Sequence, residues 1–218
     1  MTKSQAGVIK LVLASASPRR LALLQQLGVT PDALVAPDID ETVRSGERVS
    51  AYALRMAQEK AQAAARLTDL APECLILAAD TVVSVGRRIL GKPEDEQAAR
   101  QALSLLSGRS HRVMTAIALH GPKGAERTRL IETRVTMKRL SDSEQTAYLL
   151  SQEWQGKAGG YAIQGLAAAF VTRLVGSFTN VVGLPLAETT ALLQGAGYPV
   201  VSAWPQRAGA ATARVRLQ

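Results

Sequence analysis

The sequence predicts an α/β fold in which helices flank a mixed β-sheet. Two near-continuous apolar runs, "VIKLVLA" and "CLILAA", are typical of strands that are covered on both faces. Segments with the apolar period of helices alternate with these runs. The stretch "TVVSVGRRILGKP" continues from the second run as a hairpin, which favours a mixed sheet over a purely parallel one.

The first strand is followed by two predicted helices. Ser17 is a residue type that caps helices, and Pro18 suits the first helical position. Gly28 then ends the apolar stripe of this helix. A second stripe predicts a helix over about 49–68, directly before the buried run "CLILAA".

The second half of the chain continues the alternation. Ser141 and Glu144 form a capping box for one helix, and acidic residues open another in "EDEQAARQALSLLSG". Residues 131–138 alternate between apolar and polar side chains, as a strand with one buried face does. The remaining predicted elements are the strand "HRVMTAIALH", the glycine-rich loop "GKAGGYAIQG", the strand "AAFVTRLV" and the closing helix "LPLAETTALLQGAG".

Length and composition predict one domain over 1–204, followed by a basic tail over 205–218 that we expect to be disordered. The single cysteine, Cys74, lies in an apolar run, so we expect a buried thiol and a reducing, cytoplasmic location. No apolar run has the length of a membrane span, and we expect no membrane partner.

The formal net charge of +8 favours anionic partners but does not choose among a nucleotide, a nucleic acid and a membrane surface. Aromatic residues make up only 4% of the chain, which argues against base stacking on an aromatic platform. Nucleic acid is therefore the less favoured anionic partner. A basic surface that is merely solvated remains an alternative.

Asp80 is a charge in an apolar context, because it directly follows the buried run "CLILAA". Ligands in open α/β sheets bind beyond the carboxyl ends of the strands. A carboxylate there can hold a metal ion or accept a proton from water. The alternative is an aspartate that caps a helix or a turn.

Two predicted helices contain cations at positions where the pattern does not favour a positive charge. Lys60 lies within the apolar stripe of the second helix, so its ammonium either extends into water or meets an anion. Arg19 and Arg20 lie in the first turn of the first helix, where positive charge opposes the helix dipole. A bound anion would reverse that cost. The alternative is a pair of solvated arginines.

Other charged groups carry weaker signals. The loop "PDIDE" brings together Asp38, Asp40 and Glu41, a cluster that suits a hard cation such as Mg²⁺ or forms a simple acidic turn. Lys92 in "GKP" reaches a phosphate or lies in water. The two histidines, His111 and His120, lack metal-ligand spacing, and we interpret them as structural or exposed.

Taken together, these residues predict metal-assisted hydrolysis of a phosphoanhydride. Cations would neutralise a polyphosphate, carboxylates would hold a divalent ion, and one carboxylate would activate water. The sequence contains no G-x-x-x-x-G-K-[ST] motif, which disfavours an ATPase with a P-loop.

The ordered motifs "SASPRR", "DIDE", "EKA", "AADTVV", "GKP", "LSG", "GYAIQG" and "VVGLPL" resemble those of the Maf family of nucleotide pyrophosphatases. The resemblance covers about residues 9–196. It implies an α/β fold similar to that of inosine triphosphatases, with two lobes around a deep cleft, and often a homodimer. It also implies hydrolysis of a nucleoside triphosphate to the monophosphate and pyrophosphate with a divalent cation such as Mg²⁺, Mn²⁺ or Co²⁺.

The resemblance also implies roles for particular residues. Asp80 would be the proton acceptor or a metal ligand, and Glu41 would assist the metal. The substrate-binding residues would be Ser15, Ser17, Arg19, Arg20, Lys60, Thr81, Lys92 and Gln164. Among these, Arg19, Thr81 and Gln164 match positions associated with specificity, and "GYAIQG" resembles the branch that acts on dTTP and UTP. The resemblance therefore implies dTTP, UTP and modified pyrimidine nucleotides as substrates. The amide of Gln164 can both donate to and accept from a pyrimidine edge.

Three other functions stay open at this stage. The same chemistry on 7-methyl-GTP is the nearest alternative. A non-catalytic basic protein that binds nucleic acid would use the positive charge, and its binding would depend steeply on salt. A regulator of cell division would act through a partner surface that has no signature in the sequence.

Overall fold

The computed structural model describes residues 9–67 and 74–204, and within these ranges seven strands form one sheet with six α-helices around it. The strands are β1 (Lys10–Ala14), β2 (Ala33–Val35), β3 (Cys74–Val85), β4 (Arg88–Leu90), β5 (Ser110–His120), β6 (Glu126–Met137) and β7 (Val171–Val175). The helices are α1 (Pro18–Gln26), α2 (Val49–Leu67), α3 (Glu96–Leu106), α4 (Asp142–Leu150), α5 (Phe178–Val182) and α6 (Leu186–Gly195).

The sheet is mixed, as the sequence predicts. Its order is β2-β1-β3-β5-β6-β7, and β4 pairs separately with β3. Strand β1 runs parallel to β2 and β3, whereas the other pairs are antiparallel. The predicted hairpin is present, with Val83 opposite Leu90. Strand β2 was not predicted, because three half-exposed residues carry no usable period.

The hydrophobic core has three clusters that share the sheet. Helices α1 and α6 cover one face of its first half, and α2 covers the other. The third cluster lies farther along the sheet, where α3 and α4 pack against β3, β5 and β6. Strand β3 takes part in all three clusters. Ala79 packs in the cluster of α1 and α6, Val82 in that of α2, and Val83 in that of α3 and α4. Asp80 and Thr81 therefore lie where these three clusters meet.

The prediction that Asp80 ends a strand is wrong. Strand β3 continues to Val85, and Asp80 stays paired with Ala116 of β5. The parallel neighbour β1 does end here, since its last pair joins Ala14 to Ala78. The apolar run stops at Asp80 because one side of β3 loses its partner, not because the strand stops.

The predicted helix caps are only partly confirmed. The capping box of Ser141 and Glu144 is present. Ser17 precedes α1 as predicted, but its side chain makes no capping hydrogen bond. The predicted strand "AAFVTRLV" is strand only over Val171–Val175, because Leu166–Phe170 form a 3₁₀ helix.

The predicted tail, 205–218, lies outside the described residues. Cys74 is buried, as expected. Across residues 9–67 and 74–204, none of the helices combines the length and the apolar character that a bilayer crossing requires.

Candidate active site

A cleft with a volume of about 530 Å³ opens beside Asp80 and Thr81 of β3. The ten residues to which the family resemblance gives catalytic, substrate-binding or metal-binding roles all line it: Ser15, Ser17, Arg19, Arg20, Glu41, Lys60, Asp80, Thr81, Lys92 and Gln164. They come from the β1–α1 loop, the first turn of α1, the loop after β2, α2, β3, the loop after β4 and the glycine-rich loop. The fold thus gathers segments that lie far apart in the chain.

Lys60 stands at the centre of the acidic side of the cleft. Its ammonium nitrogen lies 2.6 Å from a carboxylate oxygen of Asp80 and 2.6 Å from one of Glu41. Lys92 lies 3.7 Å from the other oxygen of Glu41. Of the two sequence interpretations of Lys60, the one in which it meets an anion is correct.

Burial and the neighbouring charges shift the pKa of Glu41 in opposite directions. Burial opposes its ionised form, but the hydrogen bonds and charges of Lys60 and Lys92 together outweigh burial and hold the pKa of Glu41 below its usual range. Burial together with the charges of Asp80 and Glu41 raises the pKa of Tyr52 to about 12. Tyr52 is therefore a neutral donor, and its hydroxyl donates to the Glu41 carbonyl at 2.9 Å.

The structure does not assemble the predicted three-carboxylate cluster. Asp38 and Asp40 are exposed and lie outside the cleft lining. Asp40 instead accepts a hydrogen bond from the backbone of Thr42 at 2.9 Å, as a turn aspartate does. The acidic-turn alternative is thus correct for Asp40, and of the three carboxylates in "PDIDE" only Glu41 lines the cleft.

Arg19 and Arg20 behave differently, although they are neighbours. Arg20 is anchored: its guanidinium donates to the Gly183 carbonyl at 2.8 Å, to the Thr81 hydroxyl at 3.2 Å and to the Ser15 hydroxyl at 3.3 Å. Within the described part of the chain, Arg19 has no hydrogen bond or ion pair, and burial lowers its pKa. Arg19 is therefore the guanidinium that is free to bind an anion.

The two serines of "SASPRR" also differ. The Ser15 hydroxyl accepts from the Ser17 backbone at 3.1 Å and from Arg20. Both of its lone pairs are then engaged, so Ser15 can only donate toward the cleft. The Ser17 hydroxyl makes no capping bond and stays available.

The glycine-rich loop closes the opposite wall. The backbone of Gly159 donates to the Gly91 carbonyl at 3.0 Å, and a Cβ at Gly159 would come within 2.9 Å of Val83. This close approach presents Lys157 and Gln164 to the cleft. Sequence reasoning missed Lys157, although a lysine at the start of a glycine-rich loop is a usable signal of anion binding.

The described residues hold no cluster of three or more His, Cys, Asp or Glu side chains that would bind a metal ion alone. Glu41 and Asp80 are nevertheless both within 2.6 Å of one ammonium, so their oxygens converge on one small region. Magnesium is commonly held by one or two carboxylates together with substrate phosphates and water. The donor set fits a divalent cation that arrives with a polyphosphate.

The cleft thus combines two carboxylates, a free guanidinium, a donating hydroxyl and several lysines. Such a set can neutralise a phosphate chain and accept a proton from water.

Comparison with known proteins agrees with this chemistry. A protein named dTTP/UTP pyrophosphatase from Rhodopseudomonas palustris (strain HaA2) is 58% identical over 201 residues, which are 91% of this chain and 97% of that one. A protein of the same name from Nitrobacter hamburgensis is 57% identical over the same shares of both chains.

Solved structures are more distant. A HAM1 protein from Coxiella burnetii aligns with a TM-score of 0.43 and 23% identity over 61% of this chain and 75% of that one. At that degree of overlap, no conclusion about fold or activity follows. The profile of the family described as Maf-like protein, in contrast, matches residues 10–196. The chain therefore belongs to the Maf-like protein family.

Proposed function

We propose that this protein hydrolyses dTTP and UTP to the nucleoside monophosphate and pyrophosphate. The observation that carries the proposal is the convergence of Asp80 with the unpaired Arg19 in one cleft. Relatives that share more than half of their residues with this chain are named for this activity.

In the proposed mechanism, the phosphate chain binds along the cationic side of the cleft. Arg19, which forms no ion pair with any described residue, donates hydrogen bonds to the phosphate oxygens. Ser15 and Ser17 donate from the start of α1, where backbone N–H groups also favour an anion. Lys60 and Lys92 supply further positive charge next to Glu41.

Asp80 accepts a proton from the attacking water, whose oxygen forms the new bond to the α-phosphorus. The bond from that phosphorus to the bridging oxygen breaks, and pyrophosphate leaves with the electron pair. Lys60, which donates to Asp80 at 2.6 Å, orients the carboxylate and stabilises charge that develops on the phosphates.

Glu41 and Asp80 would hold the divalent cation. Such an ion neutralises phosphate charge and polarises the phosphorus–oxygen bonds. Mg²⁺, Mn²⁺ and Co²⁺ are the candidates that we propose to compare.

We assign Gln164 to base recognition. Its side chain is exposed on the cleft wall, and its amide both donates and accepts. A pyrimidine edge with two carbonyl groups and one N–H offers partners for both.

We further propose that residues 1–204 act as one domain, that the protein forms a homodimer, and that it works in the cytoplasm. The common sheet beneath all three core clusters supports one domain. The single cysteine and the nucleotide substrate support the location. Light scattering on the purified chain tests the dimer, and a mass equal to one chain would contradict it.

The decisive experiment measures pyrophosphate release by the purified protein from dTTP, UTP, CTP, GTP, ATP and 7-methyl-GTP, each with Mg²⁺, Mn²⁺ or Co²⁺. We expect dTTP and UTP to give the highest kcat/KM. Preference for 7-methyl-GTP would favour the other branch of the family. Salt-dependent DNA binding without pyrophosphate release would instead support a nucleic-acid-binding protein.

A further inference from the structure

Four hydrogen-bonding groups form a chain whose direction is fixed. The Thr115 hydroxyl lies 2.9 Å from the Asn180 carbonyl, which can only accept, so Thr115 donates there. A hydroxyl has one hydrogen, so Thr115 must accept from Thr81, 2.9 Å away. Thr81 in turn accepts from Arg20 at 3.2 Å. The direction runs from Arg20 through Thr81 and Thr115 to Asn180.

Buried hydrogen bonds fix Asn180, the acceptor end of this hydrogen-bond chain. Asn180 is fully buried, and its side-chain amide donates to the Val113 carbonyl at 3.1 Å and to the Thr133 hydroxyl at 2.9 Å. Thr115 is also fully buried. The acceptor that sets the direction is therefore a backbone carbonyl in a packed core, which does not rotate as a side chain does.

Thr81 consequently has no hydrogen left for a ligand, and only its second lone pair faces outward. Thr81 lines the cleft, and the absence of a side chain at Gly183, where a Cβ would lie 3.5 Å from the Thr81 hydroxyl, keeps that side open. An ionised phosphate offers only acceptors, so Thr81 does not bind the phosphate chain. Ser15 is the opposite case, because it retains only its hydrogen.

The family resemblance already associates the position of Thr81 with specificity. We propose that Thr115 is the positioning residue that holds Thr81 in an accepting state, in which Thr81 accepts the N3–H of a thymine or uracil ring. This inference rests on the proposed function. The imide N–H is the donor that thymine and uracil share. Cytosine presents an acceptor at N3, which would face the lone pair of Thr81 and leave both groups unpaired.

The alternation of side chains along β3 also separates the side of the cleft that would bind the base from the side that would bind the phosphates. Adjacent residues of a strand point to opposite faces of the sheet. Asp80 therefore turns toward Lys60 on α2, whereas Thr81 turns toward Arg20 and Thr115. Arg20 forms part of the base side of the cleft, and its neighbour Arg19 is left for the phosphates.

The test compares Thr115→Val with Thr115→Ser. Valine keeps the shape of threonine but cannot accept, so the Thr81 hydrogen becomes free to meet cytosine N3. We expect the ratio of kcat/KM for UTP to that for CTP to fall by about tenfold or more in Thr115→Val. Thr115→Ser keeps the hydroxyl and should hold the ratio within about twofold of the wild type. An unchanged ratio in a folded Thr115→Val protein, verified by its thermal melt, would overturn the proposal.

A measurement on the wild type makes the proposal independent of the variant's folding. N3-methyl-UTP lacks the donor, and its kcat/KM should be about tenfold or more below that of UTP. The 2′-deoxy and 3′-deoxy triphosphates of uridine keep the imide and should lose much less. If a sugar-deoxy analogue loses more than N3-methyl-UTP, Thr81 binds the sugar and the proposal is wrong. If the wild type hydrolyses neither UTP nor dTTP, the proposed function itself has failed.

Discussion

The ammonium of Lys60 lies 2.6 Å from the carboxylate of Asp80, although the two residues are twenty positions apart. Helix α2 and strand β3 pack face to face, and this pairing turns a lysine of the apolar stripe toward the cleft. The side chains of Lys60 and Asp80 are only 12% and 13% exposed, so their interaction is screened far less than that of a surface ion pair. Lys60 and Asp80 both line the cleft, so this ion pair forms part of its polar wall.

Replacing Asp80 should remove the proton acceptor. We expect Asp80→Asn to lower kcat with UTP by about 10²–10⁴-fold, because asparagine cannot take a proton from water. The measurement is pyrophosphate release at saturating UTP. Asp40→Asn is the matched control, and we expect it to stay within about twofold of the wild type. Wild-type turnover in Asp80→Asn would end the assignment.

Replacing Lys60 should change the pH dependence of turnover. The hydrogen bonds and charges of Lys60 and Lys92 together hold the pKa of Glu41 below its usual range against the effect of burial. In Lys60→Met that pKa rises, so Glu41 is protonated at higher pH and the acidic limb of the rate profile moves upward in pH. We also expect kcat to fall at least about tenfold.

The matched control is Lys138→Met, which breaks an ion pair with Glu144 outside the cleft lining. Its rate profile should coincide with that of the wild type. An acidic limb in Lys60→Met that stays in place would show that Glu41 does not govern the rate.

Gln164→Ala should weaken base preference more than turnover. Loss of the amide removes both a donor and an acceptor from the cleft wall, so the preference for UTP over ATP should fall by about tenfold. The kcat for UTP should change less, since Gln164 touches no reacting atom in the proposed mechanism. Equal losses on every nucleotide would contradict this role.

Gly159→Ala should destabilise the fold. Gly159 has φ of +71°, and an added Cβ would lie 2.9 Å from Val83, so the variant combines backbone strain with overpacking. We expect the free energy of unfolding in urea to fall by about 2–4 kcal/mol. Gly156→Ala is the control, because Gly156 has φ of +64° with nothing within 4 Å of its added Cβ. It should lose only about 1 kcal/mol, and equal losses in both variants would contradict the packing argument.

His111 should make stability depend on pH. Burial lowers its pKa to about 4, from 6.5, while its Nε2 contacts the Tyr161 hydroxyl at 2.7 Å. Between these values the unfolded chain binds the proton and the folded chain does not, so stability falls as pH drops from about 6.5 to 4. The contribution is about 3 kcal/mol over that window.

Urea unfolding at several pH values checks this. In His111→Phe the difference between pH 7 and pH 4 should be smaller than in the wild type by about that amount. If His111→Phe keeps the wild-type difference between pH 7 and pH 4, then His111 does not titrate as described.

Much of the architecture follows from periodicity. The buried runs around Val12 and Leu77 and the capping box of Ser141 are local patterns, so the sequence alone determined most strands and helices, but not β2. Several charged residues of the cleft could also be nominated from sequence, because a charge such as Lys60 or Asp80 is conspicuous within an apolar pattern. Thr81 and Gln164 were nominated only through the family resemblance.

Only the tertiary structure decided which of these groups meet. It joined Lys60 to both carboxylates, left Asp40 in a turn, and anchored Arg20 while giving Arg19 no partner among the residues that the structure describes. These outcomes depend on contacts between segments that are distant in the chain. Hydrogen-bond direction, as at Thr81, depends in addition on which partner can only accept. A linear pattern records the kind of side chain at each position, whereas the fold determines which of its donors and acceptors are still free.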